Sequence, residues 1–270
     1  MKETATVSVK KRNYSYVGVG RVFVIILMNL CLYPFLAIWT ILGGIIFLPA
    51  LLIWSLVTRW PIVKIMHKFI WIYAWVCNAG VRCFVKVDLV NFDKNHFTRP
   101  GIIVLNHYSF FDTYLLSYLP IFEVHIGLRA WPFKMPWYAL FMRMAGYLNL
   151  EDTHWEKILA RVRELLSQEK HFVMFPEGHR SRTGKMRRFH SGAFKLAMDC
   201  DVPVIPMCLT GTQDLLPPGR FWFEPARISI QILDPIFPDA FQGENAHVEL
   251  RKHVRQLMVE TVDQMENQLK

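Results

Sequence analysis

Residues 101–112 read GIIVLNHYSFFD, and this stretch decides the class of fold. The run from 101 to 105 is short, apolar and β-branched, which suits a strand buried on both faces. Asn106 and His107 then enter a turn, and residues 109–119 read as a helix. A strand that leads through a turn into a helix is half of a crossover unit, whose next strand lies parallel to the first. The alternation repeats on either side. Strand-like runs cover 83–90, 123–126, 171–175, 202–209 and 227–233. Helix-like stretches fill 137–144, 155–168 and 191–200, and a last one near 246–269 carries Val254, Leu257, Met258, Val262 and Met265 on one stripe. The pattern predicts an α/β fold with a largely parallel sheet flanked by helices.

Toward the N-terminus the pattern changes. Residues 22–57 are 36 consecutive positions without a charge. As one straight helix they would extend roughly 54 Å at about 1.5 Å per residue, against a hydrocarbon core of roughly 30 Å. Gly43-Gly44 and Pro49 offer a break, and Pro34 a kink. Lys10, Lys11, Arg12 and Arg21 precede the run, while Arg59, Lys64 and Lys68 follow it. Positive flanks stay on the cytoplasmic side, so a membrane-inserted helical hairpin with both ends on that face is expected. Residues 61–79, with Trp71, Tyr73 and Trp75 behind Trp60, read as an interfacial helix. The predicted organisation is a basic tail over 1–21, a membrane-binding hairpin with its interfacial helix over 22–80, and an α/β domain over 81–270.

The 270 residues carry a formal charge of +9, which points to anionic partners such as membrane lipids or a phosphate-bearing carrier. No recognition-helix, zinc-finger or RNA-binding signature accompanies that charge, so nucleic acid is not expected. The five cysteines form no C-x-x-C pair and no metal-ligand spacing, so neither disulfides nor a metal site is expected.

Chemistry concentrates after two of the strands, where open α/β sheets gather ligands. In the first motif His107 is followed five residues later by Asp112. The turn between them can bring the carboxylate to one imidazole nitrogen and leave the other as an acceptor, the arrangement of a general base. The second motif is HFVMFPEGHRS, residues 171–181, and it runs on into a basic loop. Arg180, Arg182, Lys185, Arg187 and Arg188 fall within nine residues and suit an anion, which Arg180 can grip bidentately. Gly178 lets backbone approach a ligand, and Glu177 is placed either to accept from a hydroxyl or to orient Arg180.

Asn106-His107 with Asp112, then Phe175-Pro176-Glu177-Gly178 and Arg180-Ser181, then Val202-Pro203-Val204-Ile205-Pro206, resemble the glycerolipid acyltransferases of the lysophosphatidate type over roughly residues 80–235. The resemblance implies acyl transfer from acyl-CoA or acyl carrier protein, as co-substrate and partner, to the hydroxyl of a lysophospholipid. No cofactor beyond that donor is implied. It makes His107 the base and Asp112 its orienter. Asn106, Glu177, Gly178, Arg180, Ser181 and Lys134 fall to the acceptor side, and residues 202–206 to the acyl groove. One departure stands out. Where the family commonly ends a strand with an arginine for the acceptor phosphate, this chain has Asp152. Either another cation such as Lys134 or Arg143 completes the site, or the acceptor carries less negative charge. A thioester or lipid hydrolase is a weaker reading, because no Gly-x-Ser-x-Gly elbow is present and Ser109 reads as a helix cap. A non-catalytic membrane module would leave His107 and Asp112 without a purpose.

Overall fold

The computed structural model describes residues 19–151 and 154–269. Nearly all of the basic tail assigned to 1–21 lies outside the described residues, and so does Asp152.

The chain opens with a helical path more than thirty residues long. Helix α1 (Val19–Leu42) passes through a π-helical turn at Gly43–Phe47 into α2 (Leu48–Thr58). This corrects the expected break, because the chain does not reverse at the glycines. Without side chains they let the helix widen by a residue, and Pro49, which has no N–H to give, enters just after that wider turn. The reversal comes later. Arg59 adopts a left-handed conformation (φ 58°), Pro61 is extended, and α3 (Ile62–Val81) runs back antiparallel. Ser55 Oγ ties the corner by donating to Trp60 O at 2.6 Å. Farther along, Trp39 Nε1 donates to Tyr73 O at 3.2 Å, and Gly80 lies so close to Phe35 that an added Cβ would fall 2.3 Å from the ring.

Helix α3 is more deeply set than an interfacial helix. Ile65, Met66, Phe69, Ala74, Cys77 and Val81 are buried, and Asn78 Nδ2 donates to Tyr114 O and Ser117 Oγ at 2.7 and 2.9 Å. The segment from 20 to 58, in contrast, is long and apolar enough to cross a membrane and is almost entirely unburied. Its protein-facing side is a narrow stripe through Met28, Leu32, Gly43 and Ser55. These features mark it as the membrane-associating element of the chain.

Among the described residues seven strands follow: β1 (Lys86–Val90), β2 (Ile102–Leu105), β3 (Val124–Leu128), β4 (Leu148–Asn149), β5 (His171–Met174), β6 (Val204–Thr210) and β7 (Arg227–Ile232). They form one sheet in the order β1-β7-β6-β2-β5-β3-β4. Only the β6/β7 pair is antiparallel. The short helices α4 (Trp131–Lys134), α5 (Pro136–Met144) and α8 (Thr212–Leu215) line connections. On one face α6 (Trp155–Ser167), α7 (Gly192–Cys200) and α9 (Ala246–Gln268) bury one core layer. Helix α6 does so through Ile158, Val162, Leu165 and Leu166, spaced as one helical stripe. The other face is covered by α1, α3 and a 3₁₀ helix at Phe110–Tyr118. The four apolar residues of β2 are all fully buried between the two layers, as a continuous apolar run requires.

Between α3 and the sheet lies a buried histidine pair, with the His67 and His125 rings 4.4 Å apart, edge to face. His67 Nε2 meets Ala145 O at 2.7 Å and His125 Nδ1 meets Gly146 O at 3.3 Å. Burial, then the neighbouring His67, pushes His125 down from 6.5 to about 3, and burial also lowers His67. A histidine that is neutral in the folded chain and protonated in the unfolded one makes unfolding take up protons below about pH 6.5. Stability is therefore full above that pH and falls as pH drops toward about 3, with a slope of up to about 1.4 kcal/mol per pH unit for each histidine. Melting in detergent between pH 7.5 and 4.5 is expected to show this slope, and His125→Gln to flatten it. An equally steep slope in the variant would assign the acid sensitivity to other groups.

Candidate active site

In the sheet order β2, β5 and β3 are neighbours, so their carboxyl ends meet. Strand β2 delivers His107, β5 delivers the turn from Phe175 to Arg180, and β3 delivers Arg129. The two motifs seen in the sequence, separated by some seventy residues, face each other here.

His107 Nδ1 lies 2.8 Å from Asp112 Oδ2. The same oxygen accepts from Tyr108 N and Ser109 N at 2.7 and 2.8 Å. Asp112 is fully buried, and those backbone donors hold its carboxylate in place through Oδ2, while among the described residues Oδ1 has no hydrogen-bond partner. Its contact with Ser109 N is half of a capping box, since Ser109 Oγ accepts in turn from Phe111 N at 3.1 Å. Capping the 3₁₀ helix and orienting the imidazole are one arrangement. The His107 ring is 18% exposed and rests on Phe175, with centroids 4.3 Å apart. Among the described residues nothing pairs with Nε2, and His107 lines a cleft of about 560 Å³.

Three of the residues assigned to the acceptor side lie behind the imidazole and hold it. Asn106 is fully buried and exchanges two hydrogen bonds with the Leu209 backbone at 2.8 and 2.9 Å, continuing the β2/β6 ladder with a side chain where the main chain turns away. Glu177, 2% exposed, accepts from His107 N through Oε1 at 2.8 Å and from Arg187 N through Oε2 at 2.7 Å. Burial pushes its carboxyl above the ordinary value, and the two N–H groups pull it back. Ser181 N donates to His107 O at 2.8 Å, and its hydroxyl donates to Lys185 O at 2.7 Å. Both backbone polar groups of His107 are thus gripped by the second motif. None of these three lines the cleft.

Gly178 and Arg180 do line it. Gly178 has φ of 69°, a left-handed value that glycine adopts without strain. Of the five cations read as an anion cradle, Arg180 alone reaches the cleft, while Arg182, Lys185, Arg187 and Arg188 are exposed. Lys134 and Arg143 are exposed and outside the lining as well. The second cation is Arg129, just past β3, which the sequence reading missed by ending that strand at 126. Arg129 pairs with Glu151, whose other oxygen accepts from Ala130 N at 2.9 Å, and it touches the His179 ring. Because β3 and β4 run side by side, Arg129 projects from the strand next to the one that leads to Asp152.

The remainder of the cleft is mostly apolar, with the hydroxyls of Thr40, Thr113 and several tyrosines among its lining residues. Ile126, Leu128, Phe141 and Met142 wall it from the sheet and α5, and Phe69, Tyr73 and Gly44 wall it from the N-terminal helices. Its size and apolar character suit one long-chain ligand, within the roughly 300–1,000 Å³ of small-molecule sites. Of residues 202–206, expected at this groove, 204–206 are in the sheet. Val204 to Pro206 pair with β2, and the Pro203 carbonyl accepts from Ile102 N at 2.9 Å. Ser109 is no nucleophile, because it is buried and its hydroxyl is donated to Leu216 O at 2.6 Å.

A family model described as Acyltransferase matches residues 85–210, the part that holds both motifs. The chain is 26% identical over 196 residues to a 1-acyl-sn-glycerol-3-phosphate acyltransferase of Limnanthes douglasii, covering 70% of this chain and 68% of that one. It is 31% identical over 170 residues to a protein so described from Chlamydomonas reinhardtii, covering 61% of this chain and 51% of that one. The crystal structure of the 1-acyl-sn-glycerophosphate acyltransferase PlsC from Thermotoga maritima superposes with a TM-score of 0.74 at 24% identity, covering 91% of this chain and 98% of that one. This last likeness is one of fold.

Proposed function

We propose that this chain, an O-acyltransferase of the glycerolipid acyltransferase family, moves a fatty acyl group from acyl-CoA or acyl carrier protein to the free hydroxyl of 1-acylglycerol-3-phosphate, giving phosphatidic acid. The observation that carries the reading is the His107–Asp112 pair at an apolar cleft that also holds Arg129 and Arg180.

His107 Nε2 takes the proton from the acceptor hydroxyl as its oxygen attacks the thioester carbonyl. The tetrahedral intermediate collapses, the C–S bond breaks, and the imidazolium returns the proton to the leaving thiolate. Asp112 stabilises the imidazolium through Nδ1. No acyl-enzyme is formed, in keeping with the engaged Ser109. The acyl chain runs along the apolar wall. The acceptor phosphate, close to two negative charges near neutral pH, lies between Arg129 and Arg180.

The N-terminal helix lies lengthwise against the rest of the protein, so the reading places it in one leaflet, with the catalytic domain on the cytoplasmic face where its basic flanks belong.

The test is a panel of lysolipids with labelled acyl-CoA and acyl carrier protein. Lysophosphatidate is expected to exceed lysophosphatidylcholine at least tenfold in kcat/KM, and Arg129→Gln to lower the lysophosphatidate value roughly 10- to 100-fold, the worth of a charged hydrogen bond. Asp152→Arg should leave the ratio unchanged. A wild-type preference for the zwitterionic lipid, indifferent to Arg129, would overturn the acceptor assignment.

A further inference from the structure

After α8 the chain makes an excursion over residues 216–226, LPPGRFWFEPA, before entering β7. Its tip is unusual for a water-facing loop, with Phe221 82% exposed and Trp222 50% exposed. Adjacent apolar side chains of this size in water are a liability unless something covers them.

The loop is fastened to the first turns of α1. Phe223 N donates to Asn29 Oδ1 at 2.8 Å, and Asn29 Nδ2 donates back to Phe223 O at 2.8 Å. The buried Phe223 ring packs on Tyr33, with centroids 5.8 Å apart, and on Phe111 at 6.3 Å. Arg21 Nη2 reaches Glu224 Oε2 at 2.9 Å. Within the loop, Arg220 Nη1 is 2.9 Å from Glu224 Oε1, and its Nη2 donates to Leu215 O at 2.8 Å. Residues 220–224 are thereby braced from both sides, and Phe221 and Trp222 are held outward on that base. The stretch of α1 that carries the clamp shows Val22, Phe23, Ile26 and Leu30 to the outside, each 58–69% exposed.

We infer that the 220–224 loop is a second membrane contact, which sets Phe221 and Trp222 at the boundary between headgroups and acyl chains beside the α1 anchor. The occupant is the bilayer because the loop is joined to the element that enters it. With the clamp intact, α1 cannot lie in lipid without carrying Phe221 and Trp222 to the same surface. Trp suits that depth, with an apolar body and a polar edge, and Arg21 and Arg220 stand at the base of the loop where anionic headgroups lie. Loop and helix together fix the roll of the α/β domain about the helix axis, which a single helix would leave free.

The inference rests on α1 being the membrane element, and its test separates the two. In the full chain, reconstituted in phosphatidylcholine–phosphatidylglycerol vesicles, an environment-sensitive fluorophore is attached to Phe221→Cys, to Leu30→Cys on the free side of α1, and to Gln256→Cys on α9 as an aqueous control. Quenching by lipids labelled high and low on the acyl chain gives depth. The expected result is strong quenching at 221 by the shallow label, quenching at 30 by either label, and none at 256. Quenching at 30 without quenching at 221 would overturn the loop contact and leave the anchor. Absence at both would overturn the anchor and the loop together. A blue-shifted but unquenched fluorophore at 221, with a doubled particle mass, would assign the patch to a second copy of the chain and also overturn the inference. A further readout is Asn29→Ala. With the clamp lost, quenching at 221 should fall at least twofold while that at 30 persists, and an unchanged value at 221 would show that the clamp does not set the loop.

Discussion

His107→Ala is expected to lower acyl transfer by about 10²–10⁴, the usual worth of a general base, while the protein still binds vesicles and melts as the parent does. The side chain is partly exposed, and Asp112 keeps two backbone donors on the oxygen that faced the imidazole. Asp112→Asn should be comparably severe for a different reason. The amide oxygen stays on Tyr108 N and Ser109 N, so the imidazole loses the negative charge that stabilises its protonated form during the reaction. The two losses should not add, because base and orienter act as a unit. Single-turnover rates of both variants and of the double variant check this. More than about a tenth of parental turnover in His107→Ala would remove the base from the mechanism.

Glu177→Ala should cost nearly as much without touching substrate. It leaves the part-buried N–H groups of His107 and Arg187 without their carboxylate acceptor, each lost hydrogen bond worth about 1 kcal/mol of stability. It also frees the segment that aims the imidazole, where a misplacement of about 1 Å can cost about 10²-fold. The drop should appear in kcat with KM little changed, and the melting temperature should fall. Glu177→Gln, which can satisfy one N–H but opposes the other, should lie between. A variant that folds normally and shifts only KM for the acceptor would place the carboxylate on the substrate instead.

The elements with one strong local signal were legible in the sequence. The all-apolar β2, the apolar run Phe172–Met174 of β5, the stripe of α6 and the cap at Ser109 each follow from side chains within a few residues, and so does the pairing of His107 with Asp112. Strand β4, only two residues long, offers no period to detect. The roles of Asn106, Glu177 and Ser181 were hidden for a related reason. Their partners are main-chain groups at Leu209, His107 and Arg187, and a sequence of side chains does not reveal which backbone N–H a fold will leave unpaired. Polar residues beside His107 therefore do not reveal, from the sequence alone, the main-chain groups that they hold. Arg129 was missed because its strand runs two residues beyond its β-branched part, through a glycine. The turn of the N-terminal hairpin was misplaced because glycine and proline mark a change in helix geometry as readily as an end.

Thr40 and Gly44, on the N-terminal anchor, line the cleft beside Phe69 and Tyr73 of α3, so anchor and proposed reaction chamber share a surface. The consequence is kinetic. A lysolipid and its diacyl product can exchange with the leaflet by lateral diffusion, without entering bulk water. Velocity should then track the mole fraction of acceptor in the surface, not its molarity, and diluting that surface with inert lipid at fixed total substrate should slow turnover.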